Sequence, residues 1–247
     1  MLRLAVMVLP MAVTATVTGA QSPTLPPAAA IVAKYATAVG AAAFLAPRAV
    51  ITKGALSMPA AGMNATFEMT QVTPNQMSMV TTIPGMGEVL VGFDGTTAWA
   101  VDPMQGPRLL AGSELNQAKD DADRRTMVYQ PDMFTTMQTV ADTTMNSERC
   151  YLVKLVSKSG RESYSCFSAA SGLLVASKST QKTPMGDIPV VSLVSDYKKF
   201  GDFTVATKIV QELMGQQQIL TISSVEASNA AGVTISAPAA IQALVKK

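Results

Sequence analysis

The segment from Gly62 to Pro103 alternates apolar and polar side chains, and this alternation constrains the fold more than any other feature of the sequence. A repeat of two residues places successive side chains on opposite faces of a β-strand. The segment therefore predicts a sheet with one apolar and one polar face. Several apolar positions are methionines, whose flexible side chains fit irregular surfaces. The residues of the apolar face are Met63, Ala65, Phe67, Met69, Met77, Met79, Val89, Val91, Phe93, Trp99 and Val101.

Turn residues set the register of the hairpins in this segment. A turn at Thr73-Pro74-Asn75 pairs Met69 with Met79, which places both side chains on the same face. In the next hairpin a two-residue turn would separate Trp99 from Val91, whereas a three-residue loop with a bulge would bring them together. We expect the longer loop, because it keeps the large apolar side chains on one surface.

The rest of the chain predicts more antiparallel strands and a few helices. Ala28 to Ala46 has apolar residues at helical spacing with a break at Gly40, Ser113 to Thr126 predicts a polar helix, and Pro131 to Val140 a further helix. In total we expect nine to eleven strands in one domain. Short turns that contain Met-Gly recur and mark hairpins: Met86-Gly87, Met185-Gly186 and Met214-Gly215.

The N-terminus has the features of a secretory signal peptide at residues 1–20. A basic residue precedes an apolar stretch from Leu4 to Val17, and small residues precede a cleavage position before Gln21. An uncleaved membrane anchor is the alternative, but the apolar stretch is shorter than the roughly 20 residues that span a bilayer. We expect an exported protein with no membrane span after cleavage, in which a linker at residues 21–27 precedes one domain at residues 28–247.

The two cysteines, Cys150 and Cys166, lie on predicted strands joined by Ser157-Lys158-Ser159-Gly160. A turn centred near Lys158 would place the cysteines directly opposite each other, within bonding distance. Because export permits disulfide formation, we expect a structural disulfide, with buried free thiols as the alternative. Redox chemistry has less support, since no Cys-x-x-Cys motif is present.

Composition argues against several classes of function. The sequence has no histidine, which removes His-based catalytic triads and the commonest metal ligand. A net charge of +2 and an aromatic content of 5% give no basis for nucleic-acid binding.

The Ser-x-x-Lys motif of some serine enzymes occurs twice, at Ser179–Lys182 and Ser195–Lys198. In those enzymes the motif opens a helix, whereas both copies here lie on predicted strands. Asp120-Asp121-Ala122-Asp123 lacks calcium-loop spacing and predicts an exposed helix face. We expect no enzyme activity, metal or cofactor.

Three short motifs resemble the LolA/LolB lipoprotein-carrier superfamily. The run Asp94-Gly95-Thr96-Thr97-Ala98-Trp99-Ala100-Val101-Asp102-Pro103 resembles the hairpin of that family with the pattern DG-x-x-x-W-x-x-D/N-P. Ala170-Ser171-Gly172-Leu173-Leu174 is similar to its T/S-G-L hairpin, and Ser195-Asp196-Tyr197 followed by Gly201 is similar to its SDY segment. The resemblance covers about Ala28 to Ala237.

The resemblance implies an α+β fold, an incomplete antiparallel β-barrel whose helices cover an apolar cavity that accepts acyl chains. It implies a periplasmic, non-enzymatic carrier whose partner is a lipid or an acylated protein. The alternative is an envelope structural or sensory module whose sheet face docks another envelope protein. From strand parity we expect the cavity wall to include Met69, Met79, Val91, Phe93 and Trp99.

Overall fold

A computed structural model describes residues 24–183 and 186–246, and these contain one 13-stranded antiparallel sheet and five α-helices. The predicted signal peptide, residues 21–23 of the linker and Met185 lie outside the described residues. The helices are α1 (Ala28–Val39), α2 (Ala41–Leu45), α3 (Gly112–Ala122), α4 (Arg124–Met127) and α5 (Ala239–Val245). The strands are β1 (Ala49–Met58), β2 (Met63–Val72), β3 (Gln76–Ile83), β4 (Gly87–Phe93), β5 (Ala98–Asp102), β6 (Gly106–Leu109), β7 (Phe134–Met145), β8 (Glu148–Ser157), β9 (Glu162–Ser168), β10 (Leu174–Thr183), β11 (Gly186–Phe200), β12 (Phe203–Leu213) and β13 (Gln216–Ser228).

The strand order is β6-β5-β4-β3-β2-β1-β13-β12-β11-β10-β9-β8-β7, so two meanders join where β1 pairs with β13. In the described residues the edge strands β6 and β7 do not pair with each other, which leaves the barrel open. Helices cover one face of the sheet, which we name the inner face; the opposite face is the outer face. This architecture confirms the predicted incomplete antiparallel barrel with helices, although it has more strands than the nine to eleven expected.

Two groups of helices cover the two halves of the inner face. Helices α1 and α2 lie over the half built from β8, β9, β12 and β13, where Tyr35 and Phe44 join a core that includes Phe167 and Phe203. Helix α3 lies over β3, β4 and β5, where Ala118 belongs to a second core. No helix in residues 24–183 and 186–246 is long and apolar enough to span a bilayer.

The break predicted at Gly40 is confirmed. Helix α1 ends at Val39, and Gly40 adopts a φ of 68° before α2 continues to Leu45. A Cβ atom at position 40 would lie 2.6 Å from the carbonyl oxygen of Asp202. Glycine is therefore required both for the backbone conformation and for the close approach of α1 to the β11–β12 turn.

Two features of the middle of the chain differ from the prediction. Residues 134–145 form the edge strand β7 rather than a helix, because the segment is rich in β-branched threonine and pairs with β8. The acidic run at the end of α3 is solvated only in part: Asp121 is exposed, whereas Asp120 and Asp123, which follows the helix, are buried. Asp120 accepts hydrogen bonds from the hydroxyl groups of Ser157 and Ser159, which replace its water.

The predicted disulfide between Cys150 and Cys166 is confirmed, with Cα atoms 5.5 Å apart. The cysteines are not directly opposite each other as predicted: Cys150 pairs with Ser168 and Cys166 with Leu152, so the register is shifted by two residues and the disulfide joins diagonal neighbours. Both cysteines are fully buried in a small apolar cluster with Ala176, on the outer face. The disulfide therefore ties β8 to β9 without contacting the inner face.

Candidate ligand-binding cavity

A cavity of about 240 Å³ separates the helices from the middle of the inner face. We name it the central cavity. On one side it is bounded by α1, α2 and the residues at and after the end of α4, and on the other by β1, β2 and β10–β13. Most of its lining is apolar: Val39, Phe44, Met69, Met127, Val128, Leu174, Val194, Val205, Ala206, Ile209, Ile222 and Val225.

The polar groups of the central cavity are hydroxyl groups. Threonine or tyrosine supplies each of them, and none of the described lining residues carries a charge. A buried ionised ligand group would lose its hydration without gaining a counter-ion, which is unfavourable. The cavity therefore favours neutral, largely apolar molecules. The hydroxyl-bearing residues are Tyr35, Thr52, Tyr129, Tyr197 and Thr204.

An aromatic cluster forms the wall of the cavity beneath α1. The ring centroid of Tyr35 lies 5.3 Å from that of Tyr129, with the rings nearly perpendicular, and 5.3 Å from that of Phe167. The hydroxyl groups of Tyr129 and Ser165 share a hydrogen bond of 3.0 Å. Burial raises the pKa of Tyr35 and of Tyr129 above the usual value, so both phenols stay neutral at physiological pH.

A break in strand alternation brings Tyr197 into the cavity. Asp196 has a left-handed conformation with a φ of 56°, so Val194 and Tyr197 both line the cavity although they are three residues apart. The hydroxyl group of Thr207 donates to the carbonyl oxygen of Asp196 and supports this conformation. The Tyr197 hydroxyl donates to the carbonyl oxygen of Leu174 at 2.8 Å. Aspartate tolerates the left-handed region better than most residues, which accounts for the middle position of the SDY motif.

Tyr35 differs from the other two tyrosines in its hydrogen bonding. Its side chain is buried, yet its hydroxyl group makes no hydrogen bond to any residue in the described part of the chain. Among the described residues only the Thr126 hydroxyl is fully buried without a partner, so the Tyr35 hydroxyl keeps accessible surface on the side of the cavity. The Tyr35 hydroxyl is therefore free to donate to an acceptor that a ligand brings.

Arg124 fixes the end of α2 beside the cavity. Its guanidinium group is almost fully buried and donates to the carbonyl oxygens of Phe44 at 3.0 Å and of Pro47 at 2.5 Å. These carbonyls lie at and beyond the C-terminus of α2, where the helix leaves acceptors unpaired. Burial lowers the pKa of Arg124, while the charge of Asp123 opposes that shift. One side chain on α4 thus holds α2 over the sheet.

Two further contacts attach the helices to the turns of the sheet. The Lys34 ammonium group on α1 donates to the carbonyl oxygens of Ala169 and Ala170 in the β9–β10 turn. A Cβ atom on Gly172 would lie 2.7 Å from Cγ of Lys34, so the glycine of the T/S-G-L motif permits this approach. On the other side, Arg161 pairs with Asp121 of α3 at 2.9 Å.

The structure separates the five residues expected in the cavity wall. Met69 lines the central cavity, and Met79 pairs with it on the inner face, as the predicted register requires. Val91 lines a second, smaller pocket of about 170 Å³ beside α3. Phe93 is fully buried in the core under α3. The ligand-binding role of these residues remains a prediction.

Trp99 lies on the outer face, so the expectation that it would share a face with Val91 is wrong. Phe93 pairs with Ala98 across a four-residue loop, which places Trp99 opposite Gly92 and Val91 opposite Ala100. The carboxylate of Asp94 accepts the backbone N–H groups of Thr96 and Thr97 and closes this longer turn. Trp99 is nevertheless buried, and the C-terminal helix α5 packs against the neighbouring strand β6.

The three tyrosines of the central cavity were not predicted as site residues. Tyr35 belongs to the apolar face of a predicted helix, where an aromatic residue is usually core. Tyr197 had a signal, because it ends the SDY motif, but strand parity alone would place it opposite Val194. Only the left-handed conformation of Asp196 changes that parity.

Comparison with solved structures places this architecture among known folds. The LolA superfamily protein NE2245 from Nitrosomonas europaea superposes with a TM-score of 0.56 at 13% sequence identity, covering 82% of this chain and 94% of that one. A DUF1329 family protein from Desulfovibrio piger superposes with a TM-score of 0.55 at 10% identity, covering 85% and 96%. No protein-family model and no curated protein matches the sequence.

The open 13-stranded sheet with helices over its inner face defines an incomplete, lidded β-barrel. Together with the two structural matches, it shows that this protein has a LolA-like fold. At 10–13% identity the likeness concerns the fold, and the site must be judged from its own residues.

Proposed function

We propose that this protein binds the acyl chain of a lipid or of an acylated protein in the central cavity and carries it through the periplasm. The observation that carries the proposal is the uncharged, mostly apolar lining of a cavity of about 240 Å³ under helices α1 and α2. This volume corresponds to about eight water molecules at about 30 Å³ each. A methylene group occupies nearly the same volume, so a medium-length acyl chain fits without displacing the helices.

The polar groups of the cavity favour a neutral acyl ester over a free fatty acid. Tyr35 lines the cavity and its hydroxyl has no protein partner in the described residues, so an ester carbonyl would accept its hydrogen bond. A carboxylate would need a cation, and the described lining has none. An ester is also the linkage by which acyl chains are attached in most membrane lipids.

The disulfide and the N-terminal sequence both support an exported protein. A buried disulfide between Cys150 and Cys166 is typical of proteins that fold in an oxidising compartment. The signal-peptide pattern at residues 1–20 supports the same conclusion. We therefore place the carrier in the periplasm and propose that it acts by reversible binding rather than catalysis.

Docking of another envelope protein is the second candidate function. The observation in its favour is the edge strand β7, which is 12 residues long and is paired on one side only in the described residues. Such an edge can accept a strand from another chain. The two functions are compatible, but docking leaves the central cavity without a role.

The test is a titration of delipidated protein with methyl esters of increasing chain length. Each added methylene should tighten binding about fourfold, from about 0.8 kcal/mol of burial, until the cavity is full near eight carbons. Ala206→Phe fills the cavity from β12 and should weaken binding at least about tenfold. Ala55→Phe makes the same change at an exposed position on the outer face of β1 and should leave binding unchanged.

The ligand class has its own test. Tyr35→Phe removes one hydroxyl group and should weaken binding of a methyl ester about fivefold or more, with little effect on an alkane of equal length. Wild-type protein should bind the ester more tightly than the matching carboxylate at neutral pH. Equal binding of ester and alkane by wild-type protein would contradict the assigned role of Tyr35.

A further inference from the structure

In the described part of the chain, six hairpins end at one edge of the sheet. The β8–β9 and β10–β11 tips are flanked by charged residues, whereas the remaining four hairpins are neighbours whose tips form an uncharged row. They are the β5–β6, β3–β4, β1–β2 and β12–β13 hairpins, which are adjacent in the strand order. Neighbouring tips are two strand spacings apart, about 10 Å, so the row is on the order of 30 Å long. We name it the methionine rim. The closing pairs of the four hairpins are Asp102 with Gly106, Ile83 with Gly87, Met58 with Met63, and Leu213 with Gln216.

Exposed methionines stand at three of these tips. Met86, Met104 and Met214 expose 50%, 83% and 72% of their surfaces, and they are among the most exposed large apolar residues of the described chain. The fourth tip, between Met58 and Met63, is formed by proline, alanine and glycine. Burial in the protein core therefore explains none of the three methionines, although apolar side chains of this size are usually buried.

The backbone at Met214 gives an independent reason to look for a role. Met214 has a φ of 51° and Gly215 a φ of 74°, the pattern of a type I′ turn. Asparagine is the preferred residue before glycine in such a turn, and a bulky residue is disfavoured there. The chain thus accepts local strain to hold an apolar side chain in water. Strain of this kind usually marks a functional position.

The tips carry no charge. Residues 59–62, 84–86, 103–105 and 214–215 contain no acidic or basic side chain. The nearest acidic group on the β5–β6 hairpin, Asp102, is used internally, since its carboxylate accepts the backbone N–H groups of Met104 and Gln105. The four turns themselves therefore offer a partner no charge, and the nearest exposed carboxylates, Glu88 and Glu212, stand on the strands two residues from Met86 and Met214.

Spacing excludes a shared metal site. Side chains that bind one metal ion together must all reach it at coordination distances of about 2–2.6 Å, whereas neighbouring tips are about 10 Å apart. The spacing of the tips also favours a bilayer over a protein as the partner. Isolated apolar side chains can enter the boundary between headgroups and acyl chains without a matching shape. A protein partner would need a complementary pocket for each tip.

We propose that the methionine rim docks this protein on the surface of a neutral lipid bilayer, with Met86, Met104 and Met214 inserted at the headgroup boundary. This role goes beyond ligand carriage and does not depend on an occupied cavity. Met69 lies six residues from the β1–β2 tip, about 20 Å along the strand. Docking by the rim therefore leaves α1 and α2 away from the membrane surface.

The test is co-sedimentation of full-length mature protein with phosphatidylcholine vesicles. Replacing Met86 and Met104 by serine and Met214 by asparagine should lower the partition coefficient about tenfold or more. Met214→Asn alone should weaken binding and raise the midpoint of unfolding, because Asn-Gly suits the turn. The control replaces Leu25, Val140 and Val245, which are exposed elsewhere, by serine and should change partitioning less than about twofold.

Two outcomes would overturn the proposal. One is equal partitioning of the rim variant and wild type. The other is that the wild-type protein binds no vesicles but captures a defined envelope protein, and that the rim variant loses this capture. The rim would then bind a protein partner rather than a membrane. Adding phosphatidylglycerol should change wild-type partitioning less than about twofold. Ala206→Phe should bind vesicles like wild type, so failure of ligand carriage and failure of rim docking are distinguishable.

Discussion

The indole ring of Trp99 lies directly against Gly92 on the neighbouring strand. A Cβ atom on residue 92 would stand 2.4 Å from Cζ2 of the indole and 2.6 Å from Cε2. Trp99 is only 2% exposed, so the ring has little freedom to move aside. The absence of a side chain at Gly92 therefore leaves room for the indole ring on the outer face, opposite the side of the sheet that holds the central cavity.

Gly92→Ala should consequently destabilise the fold by about 1–3 kcal/mol, the usual cost of overpacking. Urea unfolding followed by tryptophan fluorescence measures this, because Trp99 is the single tryptophan of the chain. Gly232→Ala is the matched control, since a Cβ atom there meets no neighbour within 4 Å. Ester affinity should be unchanged in both variants. A Gly92→Ala protein as stable as wild type would contradict the packing described for Trp99.

Arg124→Met should destabilise the protein by about 2–3 kcal/mol, because it leaves the carbonyl oxygens of Phe44 and Pro47 without their donor. Hydrogen exchange should become faster first in α2, and ester dissociation should accelerate as the helix loosens. The control is Arg149→Met, which removes an exposed ion pair with Asp142 and should destabilise the protein far less than Arg124→Met. Equal effects of the two substitutions would refute the role assigned to Arg124.

Replacing Cys150 and Cys166 together by alanine should lower the free energy of unfolding by about 3 kcal/mol, since the disulfide closes a loop of 16 residues. Calorimetry on the variant and on wild type measures the difference. The bond lies on the outer face, so the affinity for an ester should stay within about twofold of wild type. A loss of ester binding at a temperature where the variant is folded would contradict the conclusion that the disulfide does not contribute to the central cavity.

Alkaline pH should destabilise the protein through its buried tyrosines. Burial raises the pKa of Tyr35 and Tyr129 above 10, so their contribution to stability is complete below pH 10. Above that pH the unfolded chain ionises first, and stability falls as the pH rises. The melting temperature should drop above about pH 10, and less so in Tyr129→Phe. Ester affinity should be constant from about pH 6 to pH 9, because the described cavity lining has no group that titrates there.

Local pattern predicted the sheet well and the site only in part. The register of Met69 with Met79 followed from a turn sequence and a repeat of two, which act over a few residues. The position of Trp99 did not follow from these local signals, because it depends on a four-residue loop closed by Asp94 and on the space above Gly92. The observed loop has four residues, which is neither of the two lengths considered, and its even length places Trp99 on the opposite face from Val91, as a two-residue turn would.

The tyrosines of the cavity depended on long-range contacts. Tyr35 and Tyr129 are 94 residues apart in the chain and meet only because α1 and the segment after α4 cover the same part of the sheet. The strand β7 was predicted as a helix for a similar reason, since its state is decided by pairing with β8. Sequence periodicity contains no information on either contact.

Native mass spectrometry of the mature protein, purified from the cell envelope without detergent, tests the central claim most directly. The account predicts an additional mass that dissociates as an acyl ester, present in wild type and in Ala55→Phe and lost in Ala206→Phe. A wild-type protein that carries no apolar ligand, and that binds no ester when one is added, would contradict the assignment of the central cavity as a carrier site.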